Sequence, residues 1–100
     1  MIFEIKEPTK KLKDICSQLG SDYSIKPIDG EQSIYREMNS NYNLEVSGLN
    51  NNDEIIEATI YLWRTKPYPQ VIETVRDVKF LEFLKTSLTN LVGKYQNLDE

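Results

Sequence analysis

One stretch of the chain alternates between apolar and other side chains so regularly that it constrains the whole fold. Within residues 54–64, aliphatic side chains fall on one side, at Ile56, Ala58, Ile60 and Leu62. The other side is mixed and ends in two aromatic residues: Ile55, Glu57, Thr59, Tyr61 and Trp63. A period of two is typical of a β-strand that buries one face. The segment therefore predicts a strand with an aliphatic face toward the core and an aromatic face on the reverse.

Shorter segments predict further strands, with turn signals between them. Strand character is present in residues 2–6, 23–28, 33–38, 42–47 and 71–76. Asp29-Gly30 is typical of a two-residue hairpin turn. Pro27 favours an edge position for its strand, because proline has no backbone N–H to donate. The segment 66–69 contains two prolines and interrupts the chain, so residues 71–76 are expected to return antiparallel to the strongest strand.

Two segments have the periodicity of amphipathic helices. Residues 8–19 carry an apolar stripe at Leu12, Ile15, Cys16 and Leu19. Pro8 is typical of a helix start and Gly20 of a helix end. Asp77 is expected to cap a second helix that runs to about residue 95. That helix repeats its apolar residues every three or four positions: Leu81, Leu84, Leu88, Leu91 and Tyr95.

These elements predict an α+β fold in the order β-α-β-β-β-β-β-α, folded as one compact domain over residues 1–100. An antiparallel sheet of about five to six strands, with two helices packed on one face, satisfies this order. If both helices share one face, the other face of the sheet has to meet solvent or a partner. The order of the strands within residues 23–47 stays open at this point.

The residue types present argue against catalysis. The chain contains no histidine and a single cysteine, Cys16, which excludes Ser-His and Cys-His nucleophile pairs and Cys/His zinc sites. We therefore expect no catalytic residues, no metal and no cofactor. An enzyme that uses carboxylates is a third alternative, with Glu54/Glu57 or Glu73/Asp77 as imaginable pairs. Strand periodicity places Glu54 and Glu57 on opposite faces, which weakens that alternative.

Charge indicates the kinds of partner that suit the chain. The protein is small and acidic, with 12 basic and 16 acidic side chains and a net charge of −4. This balance argues against non-specific nucleic-acid binding, which depends on phosphate neutralisation. A nucleic-acid-binding or regulatory domain that uses Lys6, Lys10, Lys11 and Lys13 is the second alternative, although acidic residues interrupt this cluster. A lone cysteine, no secretory signal and no long apolar run lead us to expect a cytoplasmic protein with no membrane contact.

The leading hypothesis is a small cytosolic protein-binding module that acts by surface contact, as inhibitors, immunity proteins, antitoxins and assembly subunits do. Tyr61, Trp63 and Tyr68 would form its surface, because tyrosine and tryptophan are enriched in interface hot spots. Phe83 joins them as a candidate, since it interrupts an otherwise polar helix face. The occupant is either a protein partner or a second copy of the chain. Ordinary cross-strand packing is the competing explanation for the aromatic residues.

Overall fold

The computed structural model describes residues 6–98 and contains two helices and five strands. Their order is α1 (Lys10–Leu19), β1 (Ser24–Ile28), β2 (Glu31–Glu37), β3 (Tyr42–Ser47), β4 (Ala58–Arg64), β5 (Gln70–Val78) and α2 (Leu81–Tyr95). The strand predicted for residues 2–6 lies outside the described residues, apart from Lys6. In the part of the chain that is described, no helix combines the length and the apolarity needed to cross a membrane.

The strands form one antiparallel sheet in which each strand pairs with the next along the chain, in the order β1-β2-β3-β4-β5. The predicted turn joins β1 to β2, where Asp29 and Gly30 have φ values of 52° and 82°. Positive φ at both central residues suits a hairpin, because the turn then follows the twist of the strands. Sequential pairing of this kind settles the strand order that the sequence left open.

The core lies between one face of the sheet and both helices. In the strand register, Ile34 lies opposite Val46, Val46 opposite Ile60, and Ile60 opposite Val75. The buried helix residues join the same hydrophobic cluster as this aliphatic face: Leu12, Ile15 and Cys16 of α1, with Leu84, Leu88 and Leu91 of α2. The α+β class and the placement of both helices on one face are therefore confirmed.

The second helix begins later than the sequence predicts. Phe80 occupies its N-cap position without a side-chain hydrogen bond, and the prediction that Asp77 caps this helix is wrong. Asp77 lies inside β5 with a φ of 59°, where the pairing with β4 shifts between Ala58 and Ile60. This irregularity is a β-bulge, which lets β5 continue pairing to Val78. Pairing with a neighbouring strand has therefore overridden the local capping signal.

Helix α1 and strand β4 also begin at residues that differ from the predicted ones. Helix α1 begins at Lys10, and the Thr9 side chain accepts a hydrogen bond from the Leu12 backbone N–H at 3.2 Å. Strand β4 begins at Ala58 instead of residue 54, because residues 48–57 form a loop between β3 and β4. In that loop, Gly48 has a φ of 89°, and a Cβ there would lie 2.6 Å from the Glu57 carbonyl oxygen.

Gly48→Ala should lower the free energy of unfolding by about 1–3 kcal/mol, because alanine is strained at positive φ and its Cβ would meet backbone. Gly93→Ala is the matched control, since a Cβ at Gly93 meets nothing within 4 Å. Alanine is the better helix former, so this second variant should gain up to about 1 kcal/mol. Urea unfolding measures both, and equal stability of the two variants would contradict the backbone geometry assigned to Gly48.

Two positions of helix α2 provide a second matched pair of variants. Leu88 is 2% exposed and Phe83 is 46% exposed. Leu88→Ala should cost about 2–5 kcal/mol, the range for a leucine removed from a packed core. Phe83→Ala should cost no more than about 1 kcal/mol, because its ring is largely in solvent. A larger loss for Phe83→Ala than for Leu88→Ala, measured by urea unfolding, would mean that the helix packs through a different face.

Candidate functional site

The face of the sheet that points away from both helices carries the candidate site, and we call it the open face. The register brings its side chains into rows across the strands. One row runs Tyr35, Glu45, Tyr61 and Thr74, and the next runs Asn43, Trp63 and Val71. Tyr61 and Trp63 are both partly buried here, on the side opposite the aliphatic core, as the sequence predicts. Within residues 6–98, no helix covers them.

A hydrogen bond between Trp63 and Glu45 organises the open face. The Trp63 indole Nε1 donates to Glu45 Oε1 at 2.9 Å. Glu45 is only 5% exposed, although no cation of the described residues lies within ion-pair distance of its carboxylate. Buried carboxylates are usually paired with a cation, because taking a charge out of water is costly. Glu45 is therefore an unusual group on an otherwise ordinary sheet surface.

Two cavities of about 290 Å³ each lie on either side of this pair. We call the first the acidic cavity, and its lining is Asp29, Glu31, Glu45, Ser47, Tyr61, Trp63 and Val71. We call the second the amphipathic cavity, and its lining is Lys26, Pro27, Ile28, Tyr35, Asn43, Glu45, Trp63, Thr65 and Pro69. Glu45 and Trp63 belong to both linings, so they form the ridge between the two cavities.

Electrostatics distinguish the acidic cavity. Burial raises the pKa of the Glu45 carboxyl, and the hydrogen bond from Trp63 lowers it in part. The nearby negative charges of Asp29 and Glu31 raise that pKa further. Glu31 is itself held in place, because its Oε2 accepts a hydrogen bond of 2.7 Å from the Gly48 backbone N–H. Three carboxylates thus line one small cavity, and the charges of Asp29 and Glu31 disfavour that of Glu45.

The amphipathic cavity differs in charge and shape. The Lys26 Nζ lies 3.9 Å from the centre of the Tyr35 ring, which is a cation–π contact. Asn43 Oδ1 is buried there and takes no hydrogen bond from the described residues. The lining joins β1 to Pro69 in the loop before β5, so the open face curves around this space.

The structure separates the four predicted site residues. Tyr61 and Trp63 lie together on the open face. Tyr68 is 64% exposed in the β4–β5 loop, beside Pro69 at the margin of that face. Phe83 lies on α2, in the layer on the far side of the sheet, and is not brought near the other three.

The lysine cluster is partly engaged with its own chain. Lys10 Nζ forms a salt bridge with Asp14 Oδ2 at 2.7 Å. Lys11 Nζ donates to Asn51 Oδ1 at 2.6 Å and to the Ile55 carbonyl oxygen at 2.8 Å. Lys6 and Lys13 are exposed. Two of the four ammonium groups thus tie α1 to itself or to the β3–β4 loop, which leaves less of the cluster for a phosphate backbone.

The carboxylates weighed for catalysis do not share a cleft. Glu73 pairs with Lys94 at 2.9 Å and also accepts from the Tyr95 hydroxyl, which ties β5 to α2. The hydrogen bonds from Lys94 and then from Tyr95 lower the pKa of Glu73. Glu54 and Glu57 are exposed in the β3–β4 loop, and Asp77 lies in the bulge of β5.

Sequence reasoning missed the acidic side of the site. Alternation within residues 42–47 places Glu45 opposite the aliphatic positions, which is a correct but unspecific signal. Its contact with Trp63 joins positions 18 residues apart and depends on the pairing of β3 with β4. Asp29 and Glu31 reach the same cavity only because the β1–β2 hairpin folds onto β3. No pattern along the chain encodes that meeting.

The comparisons with known proteins assign no role to this surface. The chain matches no family model, no curated protein and no solved structure. Its function is therefore inferred from the geometry and chemistry of its own side chains.

The raised pKa of Glu45 predicts a defined dependence of stability on pH. The native state holds the Glu45 proton more tightly than the unfolded chain, whose glutamate titrates near 4.5. The contribution of Glu45 to stability is therefore fully present below that pH and falls as pH rises through the native pKa. Glu45→Gln keeps an oxygen acceptor for Trp63, so it should gain stability relative to wild type across this window.

The measurement is the difference in free energy of unfolding between variant and wild type, from urea titrations between about pH 2.5 and pH 7. Glu73→Gln is the matched control, because the pKa of Glu73 is lowered. Wild type should exceed Glu73→Gln at neutral pH and lose that advantage as pH falls below about 4.5. The same sign of pH dependence for both variants would contradict the environment described for Glu45.

Proposed function

We propose that this protein is a small protein-binding module that acts by surface contact through the open face of its sheet and performs no chemistry of its own. The observation that carries the proposal is an aromatic sheet face, left uncovered by both helices, with a buried carboxylate that lacks a cation among residues 6–98. Inhibitor, immunity, antitoxin and assembly-subunit roles all fit, because each requires only a stable surface. Its buried, lone Cys16 thiol suits a reducing, cytoplasmic setting.

Aromatic residues give this surface its binding capacity. Tyr61 and Trp63 combine a large apolar area with a polar group, as residues at the centre of protein interfaces often do. Val71 lies opposite Trp63 in the register and is 39% exposed, so it extends the apolar area toward β5. Tyr68 adds a third aromatic ring, exposed at the margin. The surface is therefore continuous from β3 to the β4–β5 loop.

The charge of the open face favours a protein partner with a basic contact surface. Asp29, Glu31 and Glu45 surround one cavity of the open face, and the whole chain has a net charge of −4. A second copy docked by two-fold symmetry would present the same acidic groups to themselves, which is unfavourable. A basic partner gains from the same field, which also accelerates its encounter with the open face.

The experiment compares two tagged variants as baits in a lysate of the native source. Tyr61→Ala alters the open face, and Phe83→Ala alters the helix layer. Proteins that distinguish the baits are identified, purified and titrated against each variant by calorimetry. Tyr61→Ala should weaken binding about 30-fold, the effect of a hot-spot residue, and Phe83→Ala should bind as wild type does.

Three results contradict the proposal. The first is that no retained protein distinguishes the two baits. The second is that the retained protein is lost with Phe83→Ala and kept with Tyr61→Ala, which would place the interface on α2. The third is a concentration-dependent dimer of the wild type, seen by analytical ultracentrifugation and abolished by Tyr61→Ala, because a second copy would then be the occupant.

A further inference from the structure

The acidic cavity combines carboxylates with aromatic side chains, a lining that suits a cation. Glu45 Oε1 is engaged by Trp63, and the other carboxylate oxygen takes no hydrogen bond from any described residue. The residue is 5% exposed and lines both cavities, and the charges of Asp29 and Glu31 act on its carboxyl group, so this carboxylate lies in partly desolvated surroundings beside the acidic cavity. A carboxylate in that position interacts more strongly with an opposite charge than one in open solvent does.

Two aromatic side chains lie beside the carboxylates. Tyr61 and Trp63 both border the acidic cavity, and the hydrogen bond to Glu45 fixes the indole of Trp63. Aromatic faces attract cations, most strongly where water is displaced. The same sheet face already holds one such pair, because Lys26 lies over the Tyr35 ring in the neighbouring cavity. The acidic cavity also has aromatic side chains in its lining and has more carboxylates than the neighbouring cavity. None of its lining residues within residues 6–98 carries a positive charge.

The chemistry of the lining favours a guanidinium over other cations. Within residues 6–98, no group of three or more acidic or cysteine side chains is arranged to hold a metal ion. A guanidinium is planar, donates through several N–H groups and stacks on aromatic rings, so it suits a site with both carboxylates and ring walls. A volume of about 290 Å³ has room for this group and part of its aliphatic stem.

We infer that the acidic cavity receives the guanidinium group of an arginine side chain that the protein partner presents. This inference rests on the proposed function of the open face and names the group that anchors the partner there. Glu45 accepts its N–H groups, while Asp29 and Glu31 supply a negative field. Trp63 and Tyr61 provide surfaces on which the planar group stacks.

The test uses N-acetyl-arginine N-methylamide as the probe. Trp63 is the only tryptophan of the chain, so its fluorescence and its single indole N–H resonance report on the cavity directly. Both signals should change saturably with a Kd of about 1–10 mM, as expected for one small group. The citrulline analogue has nearly the same shape without the charge, and it should bind at least about tenfold more weakly.

Two variants locate the binding. Glu45→Gln retains an acceptor for the Trp63 indole but removes the charge, so it should weaken the arginine probe about tenfold or more. Glu73→Gln removes a carboxylate from the β5–α2 contact, away from the cavity, and should bind the probe as wild type does. Circular dichroism of each variant separates lost binding from lost folding.

Arginine and citrulline probes that bind equally, or no saturable change with either, overturn the inference. Tighter binding of the corresponding lysine probe also overturns it, because an ammonium would then be the better fit. These results leave the proposed function intact if partner binding still depends on Tyr61. Conversely, arginine binding that requires Glu45, together with partner binding that ignores Tyr61, would uphold the cavity and refute the proposed interface.

Discussion

The burial of one aliphatic sheet face beneath two helices is the constraint on which the rest of this structure depends. Ile34, Val46, Ile60 and Val75 form a row across four strands, and the helix leucines pack into the same cluster. Because the side chains of a strand alternate in direction, this burial sends every second residue to the opposite face. Within residues 6–98, the two helices form the second layer and no further helix or strand lies on that opposite face. The open face is a direct result of the way the core is built.

The helix layer is fastened at several points, in contrast to the open face. Arg36 Nη2 donates to Gln96 Oε1 at 3.0 Å, and the ion pair of Glu73 with Lys94 joins β5 to α2. Asn39 also donates to backbone carbonyls at the end of α2, including that of Gln96 at 2.9 Å. These contacts hold the C-terminal end of α2 to the sheet. They use polar side chains of β2, of β5 and of the β2–β3 turn for contacts within the fold.

On the open face, the aromatic and acidic groups act as one unit. The indole of Trp63 donates a hydrogen bond to one oxygen of Glu45, and that pair separates two cavities whose linings differ in charge. The amphipathic cavity contains its own cation, Lys26, whereas the acidic cavity collects carboxylates from the β1–β2 hairpin and from β3. Under the proposed function, a partner that covers the open face contacts its aromatic side chains and the acidic cavity. The aromatic contacts would supply affinity and the charged contacts would set the orientation.

The sequence by itself determined the local elements and their faces. Periods of two and of three to four residues depend only on neighbours along the chain, so they place Tyr61 and Trp63 opposite the aliphatic positions and identify both helix stripes. The tertiary structure decided what depends on pairing between distant segments. The bulge at Asp77 and the meeting of Glu45 with Trp63 follow from strand register, which is set by the combined fit of whole strands and not by any local pattern. For that reason the strands within residues 6–98 could be predicted, but the acidic cavity between them could not.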